Sequence, residues 1–158
     1  MIAVLQIIQG ATIYADGELS GECGRGLYIL LGVEEGDTVE DVNLLTAKIK
    51  KLRIFKDEND KMNLSVMDIH GDCAVVSNFT LCANYKHGNR PDYLKSAKPD
   101  IANEYYLAFI DKMREDIPRV AHGRFGADMQ IHMVTDGPVT IVMDSHLLKK
   151  TGKEGAGK

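Results

Sequence analysis

The chain has 158 residues and 19 Lys and Arg against 23 Asp and Glu, a formal net charge of −4. That length suits one domain with a real core and is short for two. The acidic balance excludes a protein that binds nucleic acid over its whole surface, so any RNA contact must come from a local patch.

Met1 to Ile8 are apolar but lack a basic leader and soon meet Asp16 and Glu18, so they read as a strand and not as a signal peptide. No apolar run approaches the ~20 residues that span a bilayer. Strands are expected over 2–8 and 12–16, with a break at Gln9-Gly10. Asp16-Gly17 is a hairpin signal, and Glu18 to Glu22 is the returning strand. Leu27 to Val33 is a continuous apolar run and reads as a central strand. A helix opens at Gly36-Asp37-Thr38, with Thr38 and Asp41, or Asp37 and Glu40, available to cap its first turn. Val42, Leu45, Ile49 and Leu52 give it one apolar face, and Lys48, Lys50 and Lys51 suit its C-terminal end.

Ile54-Phe55 begins another extended piece, followed by a turn at Asp57 to Asp60 that lacks the spacing of a calcium loop. Cys73 to Leu81 reads as a core strand. Asp100 can cap a second helix from Ile101 to about Glu115, with Ile101, Tyr105, Ala108, Phe109 and Met113 among its apolar members. Met129 to Val134 and Val139 to Met143 are the last strands, joined through Gly137-Pro138. Proline has no N–H for a sheet ladder, so this pair is a tightly specified corner with outward carbonyls. Local sequence leaves open whether its peptide bond is cis or trans. Residues 1–145 form one domain, and 146–158, Gly- and Lys-rich without periodicity, are expected to be a disordered tail. Many strands with two helices make an α+β class, because two helices cannot cover both faces of a parallel sheet.

Cys23, Cys73 and Cys82 are scattered without a C-x-x-C, which points to reduced thiols in a cytoplasm. The five histidines show no metal-ligand spacing, so neither metal nor cofactor is expected. Gly-x-Ser-x-Gly is absent, and no histidine is placed to serve Ser77 as a base, which argues against a nucleophile triad. The stretch Tyr85 to Lys98 carries Lys86, Arg90 and Lys95 among tyrosines. It reads either as a solvated loop or as a surface that contacts phosphates and stacks bases. Arg124 either braces a turn or orients a pocket.

Ala74-Val-Val-Ser-Asn-Phe-Thr-Leu81 ends an apolar run in Ser, Asn and Thr. With Lys61-Met-Asn-Leu-Ser-Val66, Arg90-Pro-Asp-Tyr93, Ala97-Lys-Pro99, Gly123-Arg-Phe-Gly-Ala-Asp-Met129 and Asp136-Gly-Pro-Val-Thr140, it resembles the D-aminoacyl-tRNA deacylases in order and spacing over about residues 1 to 145. The resemblance implies a barrel-like β structure with the helices outside, forming a homodimer. It also implies hydrolysis of the D-aminoacyl ester at the tRNA 3′ end, and of glycyl-tRNA mischarged on an alanine tRNA. Thr80, Phe79 through its backbone, and Ser77 would stand at the reaction centre. Asn78, Met129, Gly137 and Pro138 would bind substrate, and Lys86, Arg90 and Lys95 would meet RNA. The Gly137-Pro138 pair would be cis and enter the partner's pocket, holding the substrate's α-amino group and leaving an L side chain no room.

The chain departs from the family pattern twice. Ile7 stands where an arginine usually braces the Gly-Pro corner, and Asn78 replaces a glutamine. These departures motivate two other readings: a relaxed deacylase acting on glycyl or small L-aminoacyl tRNAs, and a tRNA-end binding protein without turnover.

Overall fold

The fold is seen in a computed structural model that describes residues 1–149. Strand β1 (Ile2–Ala15) turns back through Asp16-Gly17 into β2 (Glu18–Cys23), and β3 (Gly26–Gly32) follows. Both turn residues are left-handed, with φ of 50° and 82°, as a tight hairpin requires. Helix α1 (Val39–Lys51) leads to the short pair β4 (Phe55–Lys56) and β5 (Met62–Leu64). Then come β6 (Asp72–Ser77), a 3-10 turn at Phe79–Cys82, α2 (Pro99–Arg114), β7 (Val120–His122), β8 (Met129–Asp144) and a 3-10 turn at Ser145–Leu148. The main sheet runs β2-β1-β3-β6-β7, with β8 also paired to β1; β3–β6 and β6–β7 are parallel. It curls until β7 meets β2, where Ser20 Oγ donates to the His122 carbonyl at 2.9 Å, so the barrel is nearly closed.

The expected break at Gln9-Gly10 is not a break. β1 continues for 14 residues, with register shifts against β8 between Gln6 and Ile8 and between Ile8 and Gly10. These irregularities switch its buried face. Met1, Ala3, Leu5 and Ile7 enter a core shared with α1 and α2, while Ile8, Ala11 and Ile13 enter the barrel interior with Tyr28, Ala74 and Val76. One strand thereby serves two hydrophobic layers, which is how a bulge re-aims side chains. β3 is buried on both faces for the same reason.

α1 buries Val42, Leu45 and Ile49 as its periodicity predicts, and the Thr38 N–H donates to Asp41 Oδ2 at 2.8 Å at its start. α2 differs from expectation. It begins at Pro99, which suits the first helical position, with Lys98 rather than Asp100 at the cap. Its fully buried face is Ala102, Tyr106, Phe109, Ile110 and Met113, and Ile101 is exposed.

Below α1, the Met1 ammonium is buried and donates to Asp37 Oδ1 at 2.7 Å, Ser145 Oγ at 3.0 Å and Glu34 Oε2 at 3.3 Å. Ser145 Oγ donates to Asp41 Oδ1 at 2.6 Å, and Lys149 Nζ to Asp41 Oδ2 at 3.0 Å. Burial alone would raise the Asp41 carboxyl, but these donors and the Thr38 N–H outweigh it and hold the group well below the usual carboxylate range. Residues 146–149, read from sequence as the start of a tail, form part of this packed turn; residues 150–158 of that tail lie outside the described residues. Among the described residues no helix is long and apolar enough to cross a membrane, and the three cysteines are buried free thiols.

Candidate active site

β6 was expected to run to Leu81 but stops at Ser77. The cause is Asn78. Its backbone N–H is the last to pair with β3, donating to the Leu31 carbonyl at 2.8 Å. Its side-chain carbonyl then accepts the Thr80 N–H at 3.1 Å and the Thr80 hydroxyl, turning the chain into the Phe79–Cys82 turn. The Leu81 N–H donates to the Asn78 carbonyl at 3.3 Å. Gly32 lets the turn rest on β3: a Cβ there would stand 3.0 Å from Leu81 Cβ and 3.1 Å from the Asn78 carbonyl. With the amides of residues 78, 80 and 81 engaged, the Phe79 N–H is left without an intramolecular partner among the described residues.

This turn forms one side of a cavity of about 730 Å³. Ser77, Asn78 and Phe79 line it, facing the first turn of α2 (Lys98, Pro99, Ala102) and the Phe125-Gly126-Ala127 segment with Met129. The Phe79 ring meets Tyr93 edge to face at 4.9 Å, and Leu94, 83% exposed, extends the apolar rim. At the base, the buried Tyr106 hydroxyl lies 3.0 Å from the Val75 carbonyl and 2.9 Å from that of Gly123. Burial pushes its phenol far above the ordinary range, so it remains a protonated strut. Gly123 makes room for Met129, since a Cβ there would lie 2.2 Å from the methionine sulfur.

The chemistry of the lining is notable for its poverty. Among the described residues no histidine, aspartate, glutamate or cysteine lines the cavity; the titratable groups there are Tyr93, Tyr106 and Lys98. Such a lining lacks the histidine–carboxylate pair that activates a serine nucleophile in a triad. It offers shape, an unpaired amide and polar oxygens, which suffice only for a substrate already close to reacting.

Of the residues singled out by sequence, the structure brings Ser77, Asn78, Phe79 and Met129 to one cavity. Thr80 is exposed and is not among the residues that line it. Lys86, Arg90 and Lys95 are exposed on the 84–95 loop, whose base is tied by reciprocal backbone bonds between Asn84 and Asp92 at 2.8 and 2.9 Å. Arg124 braces a turn: its guanidinium reaches the Ala15 carbonyl at 3.0 Å and Asp16 at 3.2 Å. Gly137 and Pro138 are joined by a cis peptide bond, are exposed, and are not among the residues lining the cavity of their own chain. Sequence reasoning missed Tyr106 and Ala102, which sit one position from residues assigned to the apolar face of α2. It missed Leu94 because an exposed leucine carries no periodic signal. Two carboxylate–histidine groups, Glu34/Asp144/His146 and Asp37/Asp41/His146, have the spacing of metal ligands; their carboxylates are already engaged by the Met1 ammonium, Ser145, Lys149 and backbone N–H groups.

The family model described as D-Tyr-tRNA(Tyr) deacylase matches residues 4–144. A D-aminoacyl-tRNA deacylase of Flavobacterium johnsoniae is 47% identical over 146 residues, covering 92% of this chain and 97% of the relative. That of Parabacteroides distasonis is 49% identical over the same length and coverage. Among solved structures, one described as the c-Myc DNA Unwinding Element Binding Protein superposes with a TM-score of 0.85 at 36% identity, over 91% of this chain and 98% of that one. A structure described as a probable eukaryotic D-amino acid tRNA deacylase shares the fold, with a TM-score of 0.78 at 16% identity.

Proposed function

Because this chain belongs to the D-Tyr-tRNA(Tyr) deacylase family, we propose that it hydrolyses the ester joining a D-amino acid to the 3′-terminal ribose of tRNA, in the cytoplasm. The observation that carries the mechanism is a cavity with an unpaired backbone amide and, among the described residues, no histidine, carboxylate or cysteine in its lining. An aminoacyl ester on ribose is activated, so little catalytic machinery is required. Water adds to the ester carbonyl, and the oxygen that becomes negative is met by the Phe79 N–H. The neighbouring ribose 2′-OH relays the proton from the attacking water to the departing 3′-oxygen. Free D-amino acid and tRNA result. Ser77 and Asn78 contact the terminal nucleotide and its ester, Met129 closes the adenosine side, and Thr80 keeps the turn in shape. Lys86, Arg90 and Lys95 meet the acceptor-stem phosphates. Glycyl-tRNA mischarged on an alanine tRNA is a second substrate, because glycine has no side chain to exclude.

Chirality is read by a second copy of the chain. The Gly137-Pro138 corner projects into solvent from its own subunit and enters the partner's cavity in a homodimer. Its carbonyls hold the α-ammonium of the substrate, and its bulk occupies the direction an L side chain would take. The exposure of the corner, and its absence from the residues that line its own cavity, support this arrangement.

The test is loss of label from D-Tyr-tRNA and L-Tyr-tRNA with purified protein. The D-ester should disappear rapidly and the L-ester at its spontaneous rate. Background loss of both would refute the proposal, and substantial hydrolysis of L-Ala-tRNA would favour a relaxed deacylase instead.

A further inference from the structure

Every residue from Val134 to Pro138 is exposed, so core packing does not hold the corner; three polar side chains do. On the C-terminal flank, Gln6 Nε2 donates to Thr140 Oγ1 at 3.3 Å, and Thr140 Oγ1 donates to the Pro138 carbonyl at 3.0 Å. On the N-terminal flank, Gln9 Nε2 donates to Asp136 Oδ2 at 2.6 Å. The register explains why these residues are in reach. Gln6 pairs with Thr140 and Ile8 with Thr135, so residues 136–139 loop out opposite Ile7. Ile7 is buried in the main core and offers no polar atom, and the glutamines stand on either side of it.

The C-terminal relay has a direction. An amide N–H can only donate, so the Thr140 oxygen accepts from Gln6 and its single proton is left for the Pro138 carbonyl. A carbonyl oxygen has two acceptor sites; the hydroxyl takes one and fixes where the other points. Linked donors of this kind also polarise one another. We propose that Gln6, Thr140 and Gln9 are positioning residues for deacylation, aiming the free acceptor site of the Pro138 carbonyl at the substrate's α-ammonium and fixing the wall that excludes L side chains. This inference rests on the role of the corner given under the proposed function.

The test compares full-length Thr140→Val, Thr140→Ser, Gln6→Glu and Gln9→Leu with the unaltered chain on D-Tyr-tRNA and L-Tyr-tRNA. Thr140→Val keeps the shape and removes the proton. Gln6→Glu keeps the length but accepts the Thr140 proton, turning the relay away from Pro138. Thr140→Val, Gln6→Glu and Gln9→Leu should each lower kcat/KM for D-Tyr-tRNA roughly fivefold, about what one hydrogen bond is worth. They should narrow the ratio of D to L rates while the thermal midpoint stays in place; Thr140→Ser should restore both. Pro138→Ala serves as the reference. If Pro138→Ala changes the D-to-L ratio and Thr140→Val does not, the brace is overturned. If Pro138→Ala is also silent, the role of the corner itself fails and the brace falls with it.

Discussion

Asn78 is the residue on which the proposed chemistry turns. One side-chain carbonyl holds both the N–H and the hydroxyl of Thr80, while the N–H of Phe79, a residue that lines the cavity, has no intramolecular partner among the described residues. Two substitutions separate the roles. Thr80→Ala removes the hydroxyl but keeps the capped N–H, so hydrolysis of D-Tyr-tRNA should fall by only about tenfold. Asn78→Ala removes the cap as well and should cost at least as much, since an N-cap is worth about 1 kcal/mol beyond any contact with substrate. Single-turnover rates would show the difference; complete loss with Thr80→Ala, together with an acyl-enzyme trapped on the unaltered protein, would instead identify a nucleophile. The Ser-Asn-Phe-Thr sequence was legible as the polar end of an apolar run and, through the family resemblance, as a candidate site; the structure brings Ser77, Asn78 and Phe79 of it to the cavity. Its geometry was not legible, because a run of β-forming residues gives no sign that an asparagine will stop the strand at Ser77.

At the scale of elements, the site depends on how α2 is rotated about its axis. The helix itself was legible from apolar spacing of three and four. Its phase was not: Tyr105 and Tyr106 are adjacent, and Ile101 and Leu107 are exposed apolar residues that blur the stripe. The structure chooses Tyr106, whose hydroxyl ties the end of β6 to the segment that carries Gly123 and Met129. Tyr106→Phe removes the one hydroxyl proton that the Val75 and Gly123 carbonyls share at the base of the cavity and should destabilise the fold by about 1–3 kcal/mol. Urea unfolding would measure it, and KM for D-Tyr-tRNA should rise as the Met129 wall loosens. An unchanged midpoint and KM would mean that the hydroxyl is not a strut. The face switch of β1 was half-legible. Gln9-Gly10 marks an irregularity, but whether a strand ends or bulges there is decided by β8, which continues pairing on both sides.

For the whole molecule, the sequence supported an α+β class, and the closure of the barrel came from elsewhere. β7 is only three residues, too short to register as a strand, yet it carries the sheet round to β2. Against a net charge of −4, the proposed approach of RNA is confined to the loop that carries the exposed Lys86, Arg90 and Lys95. The corner and the cavity are separate features of one chain, and the account joins them only across a two-fold axis. Mixing subunits tests that joining directly. A chain with Asn78→Ala and Thr80→Ala keeps its corner and loses its pocket; a chain with Gly137→Ala and Pro138→Ala keeps its pocket and loses its corner. Each alone should be nearly inactive on D-Tyr-tRNA. After the two are unfolded together and refolded, half the dimers are mixed and each has one complete site, so activity should return to about a quarter of that of the unaltered protein. Activity that stays at the level of the separate variants, with mixed dimers demonstrably present, would contradict the account.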